Sequence, residues 1–224
     1  MERSTKTARE LFEELKENNK TANFGYGRKP MLVNVDLQRW YTDREMFPSA
    51  YGTAEQIEYV NDLVALFREK QLPIVWAYVA YMESGEDCGV WSIRDQSPNA
   101  LQNVKVGTPK AELDARLNVD RAKDIIIHKR MPSVFHETNL SSLLVWHGCD
   151  TIVVTGGSTS GCIRATVVDG LSHGYRMVVP EECVADRHES PHYANLYDMA
   201  VKYADVVSVS NVKDYLNAYE MAGH

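Results

Sequence analysis

From residue 124 onward the sequence alternates between short, almost wholly apolar runs and segments with helical spacing. That alternation constrains the fold more than any other feature. The runs are DIIIHK (124–129), DTIVVTG (150–156), YRMVVP (175–180) and DVVSVS (205–210). A strand exposed on one face alternates apolar and polar residues, whereas a strand apolar at nearly every position is covered on both faces. Helical segments follow the runs at 138–148, about 161–173, 190–204 and 211–219. This succession predicts a parallel sheet, and right-handed crossovers then give an α/β fold of three layers, a doubly wound α/β/α sandwich. MLVNVD (31–36) and PIVWAYVAY (73–81) add two upstream strands, so the mainly parallel sheet is expected to have about six. Thr53 is placed to cap the helix between them, whose Ile57, Val60, Leu63, Val64 and Phe67 form one apolar face.

The remaining segments fit a single domain over 1–224, with a polar helical arm at about 4–20 on which Ala8, Leu11, Phe12 and Leu15 share a face. Residues 82–122 have little periodicity and are expected to end in a short helix. The chain carries a net charge of −7, which argues against a nucleic-acid partner, since phosphate binding needs a basic surface. No apolar run approaches the roughly 18 residues that cross a bilayer, so no membrane partner is expected. The charged N-terminus lacks a secretory apolar stretch, and the expected location is cytoplasmic. The four cysteines, Cys88, Cys149, Cys162 and Cys183, are too few for a disulfide framework and show no CxxC spacing. They are expected to be reduced thiols.

In a doubly wound sheet, ligands bind beyond the carboxyl ends of the strands near the point where strand order reverses. Three strand ends carry chemically capable side chains. Asp36 closes MLVNVD, where it either caps a turn or faces a site. Lys129 closes DIIIHK, where it is either solvated or functional. Cys162 lies in the first turn of a helix, after the apolar run and the Gly/Ser/Thr-rich turn TIVVTGGSTSG. The free N–H groups and positive dipole end of a helix N-terminus stabilise a thiolate and can hold an oxyanion. The alternative is a small buried cysteine beneath the helix. A phosphate-binding turn fits less well, because GGSTSG lacks a Lys-Ser/Thr ending and matches GxGxxG poorly. Together the three residues make coherent chemistry: a carboxylate to move protons, an ammonium to stabilise the thiolate and a thiol to attack.

At these residues the sequence resembles the isochorismatase-like cysteine hydrolases, in particular their N-carbamoylsarcosine amidase and maleamate amidohydrolase branch. The resemblance runs from GYGRKPMLVNVD to the final helix and is most specific in HKRMPSVFHETNL and in VVTGGSTSGCIRATVVDGLSHGYRMVVPEECVADR. It implies a catalytic triad of Asp36, Lys129 and Cys162, and an oxyanion hole from the N–H groups of Thr159 and Cys162. It implies a cis peptide joining Ser158 to Thr159. Arg187 would clamp a substrate carboxylate, Trp91 would wall the pocket, and Phe135, in the Ser-x-Phe after the lysine, would contact substrate. For Arg187 the alternative is a surface ion pair with Asp186 or Glu189, and for Trp91 a place in the core. The resemblance further implies a homo-oligomer, a tetramer, and no cofactor.

Two departures narrow the chemistry. Nicotinamidases of the same superfamily hold a metal with an aspartate and two histidines after the first strand. Here LQRWYTDREMFPSAYG follows Asp36 and the first histidine is His128, so no catalytic metal is expected. Cys162 argues against vinyl-ether hydrolysis, whose enzymes in this family typically lack the cysteine. The expected activity is cleavage of a linear amide or carbamoyl bond in a small carboxylate-bearing substrate, through an acyl-enzyme, with release of ammonia. GVWS and SVSNVKDYLNA point first to an N-carbamoyl amino acid, and STSGCIRATVVD and SPHYANLYDMAVKYAD to maleamate as the alternative. Two other classes compete. A catalytically silent binding or scaffold protein is opposed by the intact triad. A redox sensor at Cys162 is opposed by the lack of a resolving cysteine nearby in sequence.

Overall fold

In a computed structural model, which describes residues 4–18, 21–95, 97 and 100–220, the apolar runs form a parallel sheet flanked by helices. The elements are α1 (Ala8–Asn18), β1 (Pro30–Val35), α2 (Arg39–Thr42), α3 (Ala54–Glu69), β2 (Ile74–Val79), β3 (Ile125–Lys129) and α4 (Leu140–His147). They continue with β4 (Thr151–Gly157), α5 (Arg164–Ser172), β5 (Arg176–Pro180), β6 (Val184–Ala185), α6 (Glu189–Lys202), β7 (Asp205–Val207) and α7 (Val209–Ala218). Strand order is β3-β2-β1-β4-β5-β7, with β6 paired to the end of β4. The order reverses between β1 and β4, so the ends of these two strands flank the crevice where such folds bind ligands.

Alternate side chains of each strand enter opposite apolar layers, which is why the runs are apolar throughout. Met31, Val33, Val35, Ile152, Val154, Met177 and Val179 pack with Leu140, Leu144, Val167, Leu196 and Met199 of α4–α6, and with Phe12 of α1. Leu32, Trp76, Val153 and Val178 face the other way, against α3 and α7. All five apolar residues expected on one face of α3 are buried there, and the Thr53 side chain caps that helix by accepting the Gln56 N–H.

Local hydrogen bonding explains where boundaries depart from expectation. Helix α1 starts at Ala8 because Thr7 and Glu10 cap it reciprocally: the Thr7 N–H donates to Glu10 Oε2 at 2.7 Å and the Glu10 N–H to Thr7 Oγ1 at 3.2 Å. Residues 19–20 of the expected arm lie outside the described residues. The last strand stops at Val207 because Ser208 turns the chain and caps α7, accepting the Asn211 N–H. The short helix expected near residue 122 does not form. The Asp124 carboxylate takes the Asp120 N–H, the Trp76 indole N–H and the Arg68 guanidinium, which holds that segment as a turn.

The ends of β1 and β4 approach so closely that only glycine fits at Gly156. Its φ is 112°, and a Cβ there would lie 1.9 Å from the Val35 carbonyl oxygen. We expect Gly156→Ala to lower stability by on the order of 3 kcal/mol, from the disallowed φ and the backbone clash together. A wild-type urea midpoint for this variant would contradict the packing described.

Candidate active site

Backbone geometry at three strand ends brings Asp36, Lys129 and Cys162 together. Asp36 follows β1 directly, with a φ of 55° that is uncommon outside glycine. Its N–H donates to the Ala77 carbonyl at 2.8 Å. The Gln38 amide fastens this corner to the end of β2, donating to the Val79 carbonyl and accepting the Val79 N–H, both at 2.8 Å. Lys129 ends β3 on the same face as Ile127, toward the layer of α4–α6. Cys162 lies in a wide turn, Thr159–Ile163, between β4 and α5. Thr166, one turn further on, donates to the Cys162 carbonyl at 2.7 Å and accepts the Val134 N–H at 3.1 Å.

The Lys129 ammonium is 2.8 Å from Asp36 Oδ2, 3.4 Å from Cys162 Sγ and 3.2 Å from the Met131 carbonyl, and its side chain is 0% exposed. Burial pushes the Cys162 thiol up to about 12, against the pull of Lys129 and with the added push of Asp36. Burial works to neutralise Lys129, yet Asp36 and Cys162 hold its pKa above the ordinary lysine value. The resting centre is therefore one carboxylate, one ammonium and one neutral thiol. The expected helix-terminus stabilisation of a thiolate is outweighed by burial. Gly161, at φ −113° and ψ −105°, also breaks the turn, so regular helix starts only at Arg164. Asp36 Oδ1 is buried with no partner of its own. The Asp36 charge works with burial to keep the proton on sulfur.

The triad opens onto a cavity of about 390 Å³. Ser158, Trp40, Tyr51, Trp91, Arg94 and Arg187 line it beside Asp36 and Cys162. Arg187 lies over the Tyr51 ring at 5.5 Å. Neither acidic neighbour takes its guanidinium: Asp186 accepts the Arg187 backbone N–H at 2.8 Å, and Glu189 faces Arg9 at 4.0 Å. Trp91 lines the cavity and packs, partly buried, on Val79, Tyr81 and Cys88. Among the described residues, no three His, Cys, Asp or Glu side chains converge as metal ligands would.

Two implied placements are corrected. Phe135 does not line the cavity. Its ring is buried under α5 where Gly170 leaves room, stacked on His173 at 5.0 Å and Tyr175 at 6.1 Å. The cis peptide joins Gly157 to Ser158, not Ser158 to Thr159. The site needs a residue without a side chain at Gly157, where a Cβ would come within 2.2 Å of the Tyr41 ring. Ser158 consequently lines the cavity, while Thr159 is buried behind it with Oγ1 2.8 Å from His192 Nδ1. Gln38, Tyr41, Tyr51 and Arg94 were not singled out in the sequence. LQRWY directly after the aspartate was the one available signal, and nothing in it separates a pinned amide or tyrosine from a surface one.

The family model described as "Isochorismatase domain" matches residues 30–211. A maleamate amidohydrolase from Pseudomonas putida is 37% identical over 185 residues, covering 82% of this chain and 85% of the relative. An N-carbamoylsarcosine amidase from Arthrobacter sp is 31% identical over 199 residues, covering 87% of this chain and 74% of the relative. The crystal structure of a cysteine hydrolase from Pseudomonas syringae pv. phaseolicola superposes with a TM-score of 0.80 at 21% identity, over 91% of this chain and 100% of that one, and supports the fold.

The raised thiol makes a definite prediction for pH dependence. Iodoacetamide alkylation of Cys162, read against Cys162→Ala, should be slow at pH 7 and rise about tenfold per pH unit through pH 9. A plateau reached by pH 7 would mean a preformed thiolate and would overturn the neutral-thiol assignment. Removing the ammonium in Lys129→Ala strands a buried carboxylate, and should cost about 3–5 kcal/mol in urea denaturation.

Proposed function

The chain belongs to the isochorismatase family, and we propose that it is a cysteine amidohydrolase acting on the carboxamide of a small half-amide dicarboxylate. The observation that carries this reading is the buried contact of Lys129 with both Asp36 and Cys162, at a cavity with Arg187 on its wall. The sequence pointed first to N-carbamoyl amino acids and second to maleamate. The relative named for maleamate is the more similar of the two compared, at 37% against 31% identity, and favours the second reading. An N-carbamoyl amino acid, with the same carboxylate and a carbamoyl carbon to attack, is the alternative substrate.

The reaction follows from the charge state at rest. As Cys162 sulfur bonds to the carboxamide carbon, its proton passes to Asp36 Oδ1, and the carbonyl electrons move onto oxygen. The backbone N–H groups of Cys162 and of Ser158, the residue after the cis bond, receive that oxyanion. Asp36 returns the proton to the leaving nitrogen, ammonia departs, and a thioester remains. Water, deprotonated by Asp36, then releases the acid and restores the thiol. Lys129 stays protonated throughout and supplies the positive field. Arg187 holds the distal carboxylate through charge-assisted hydrogen bonds, which fixes the distance from the anchored end to the reacting carbon.

Ammonia release from maleamate, N-carbamoylsarcosine and other N-carbamoyl amino acids, measured side by side, tests the proposal. Maleamate is expected to give the highest kcat/KM, and Cys162→Ala to abolish turnover while remaining folded. Substantial activity in that variant would sink the mechanism, and a preference for carbamoyl amino acids would exchange the two substrate readings. Loss of a charged hydrogen bond in Arg187→Met should raise KM by about 10–100-fold with less effect on kcat. An unchanged KM would remove Arg187 from substrate binding.

A further inference from the structure

The cavity that holds Cys162 shares a wall with a shallower depression on the surface. Trp91, Arg94 and Pro132 line both, so these three side chains stand where the two spaces meet. Val90, Ile93 and Met131 complete the outer depression, which leaves Arg94 as the one charged side chain among its lining residues. The 3₁₀ segment Glu86–Ile93 builds this rim. Cys88 is buried against Val79 and Tyr81, while beyond a kink at Gly89 the side chains of Val90 and Ile93 are exposed. The Arg94 N–H closes the segment by donating to the Trp91 carbonyl at 3.1 Å, which sets Trp91 and Arg94 one turn apart. The Asp87 carboxylate ties the segment to the end of β3 by accepting the Arg130 Nε–H at 3.1 Å, so the charge of Arg130 is balanced. Arg94 differs: among the described residues, no carboxylate oxygen pairs with its guanidinium.

We propose that Arg94 is a specificity-determining residue at the mouth of the cavity: its guanidinium draws the substrate carboxylate over an apolar rim and into the reach of Arg187. This rests on the reading of the cavity as the site of a carboxylate-bearing amide. The need for such a residue comes from the whole chain. A net charge of −7 repels anions at long range, and a local cation raises their concentration where it stands. The other cations of the cavity are already answered. Lys129 is paired with Asp36 at 2.8 Å. Arg187 lies over the Tyr51 ring, and its charge adds to the Ser97 N–H in holding the Asp95 carboxyl, on the same wall, below the ordinary carboxylate value. Arg94 is exposed, so its field acts through solvent and is screened by salt, whereas buried contacts are screened much less. A neutral amide gains nothing from it. The selectivity Arg94 confers is therefore for charge and precedes the chemistry, so it is expressed in kcat/KM and not in kcat.

Two reagents of nearly the same shape separate charge from packing. Cys162 sulfur displaces iodide from the CH2 carbon of iodoacetate and of iodoacetamide alike, with the thiol proton lost to solvent, but only iodoacetate is an anion. Rates are read on the Cys162 peptide of the whole protein at about pH 9, against Cys162→Ala. In Arg94→Gln the iodoacetate rate should fall about five- to tenfold at low salt, while the iodoacetamide rate stays within about twofold of wild type. Arg94→Lys keeps the charge and should retain most of the wild-type ratio. Raising salt from about 0.02 M to about 0.5 M should remove most of the difference between wild type and Arg94→Gln. In turnover, Arg94→Gln should lower kcat/KM for maleamate by a similar factor, with kcat within about twofold of wild type. An unchanged reagent ratio in Arg94→Gln, equal losses with both reagents, or the same loss in Arg94→Lys would overturn the proposal. Wild-type enzyme that releases ammonia from none of the amides would refute the substrate reading alone, and the reagent pair would still decide the role of Arg94.

Discussion

A lysine ammonium with no exposed side-chain surface is the interaction on which the rest of the site depends. Holding such a charge inside a protein carries a desolvation penalty of several kcal/mol, offset only by close partners with satisfied hydrogen bonds. Asp36 at 2.8 Å supplies the counter-charge, and the Met131 carbonyl and Cys162 sulfur take further ammonium contacts. That requirement reaches into the fold. Strand β2 lies between β3 and β1, and with strands about 4.8 Å apart, Lys129 and Asp36 start roughly 10 Å from each other. The ammonium must cross the end of β2, which finishes at Val79 and is followed by the small Ala80. Gln38 fixes both sides of the crossing by pairing with the N–H and carbonyl of Val79.

The layered sheet was legible in the sequence because its cause is local. Each run from Met31 to Val179 is apolar on both faces since both faces are covered, and no tertiary knowledge is needed to see it. The three strand-end residues were legible for a related reason: a doubly wound sheet puts the ends of its strands on one side of the molecule. What escaped depends on contacts far apart in sequence. Strand β6 is two residues long and exists only because β4 offers it an edge. Phe135 sits two residues after Ser133 in a family-like motif, yet the space left by Gly170, 35 positions further on, draws its ring into the core. One wall of the cavity comes from Cys88, Trp91, Arg94, Leu101 and Gln102, in a stretch where no periodicity announces which side chains turn inward. Gly148 ends α4 in the left-handed conformation that glycine adopts without strain.

The raised thiol resolves an apparent conflict in how a buried cysteine attacks an amide. A preformed thiolate beside Asp36 would place two anions around one cation in a region nearly closed to water, and that is the state burial disfavours. The concerted transfer proposed above avoids it. Before attack, the centre holds a carboxylate, an ammonium and a neutral thiol. After attack, it holds a neutral carboxylic acid, the same ammonium and an oxyanion. The sum of charges is unchanged, and the negative charge has moved from Asp36 to the substrate oxygen. Lys129 never gives up its proton in this sequence, so its contribution is a fixed field that the fold organises before substrate arrives. In the proposed reaction the backbone donors at Cys162 and Ser158 receive the displaced charge. Asp186, which accepts the Ser160 N–H at 2.7 Å, braces the turn that presents those donors.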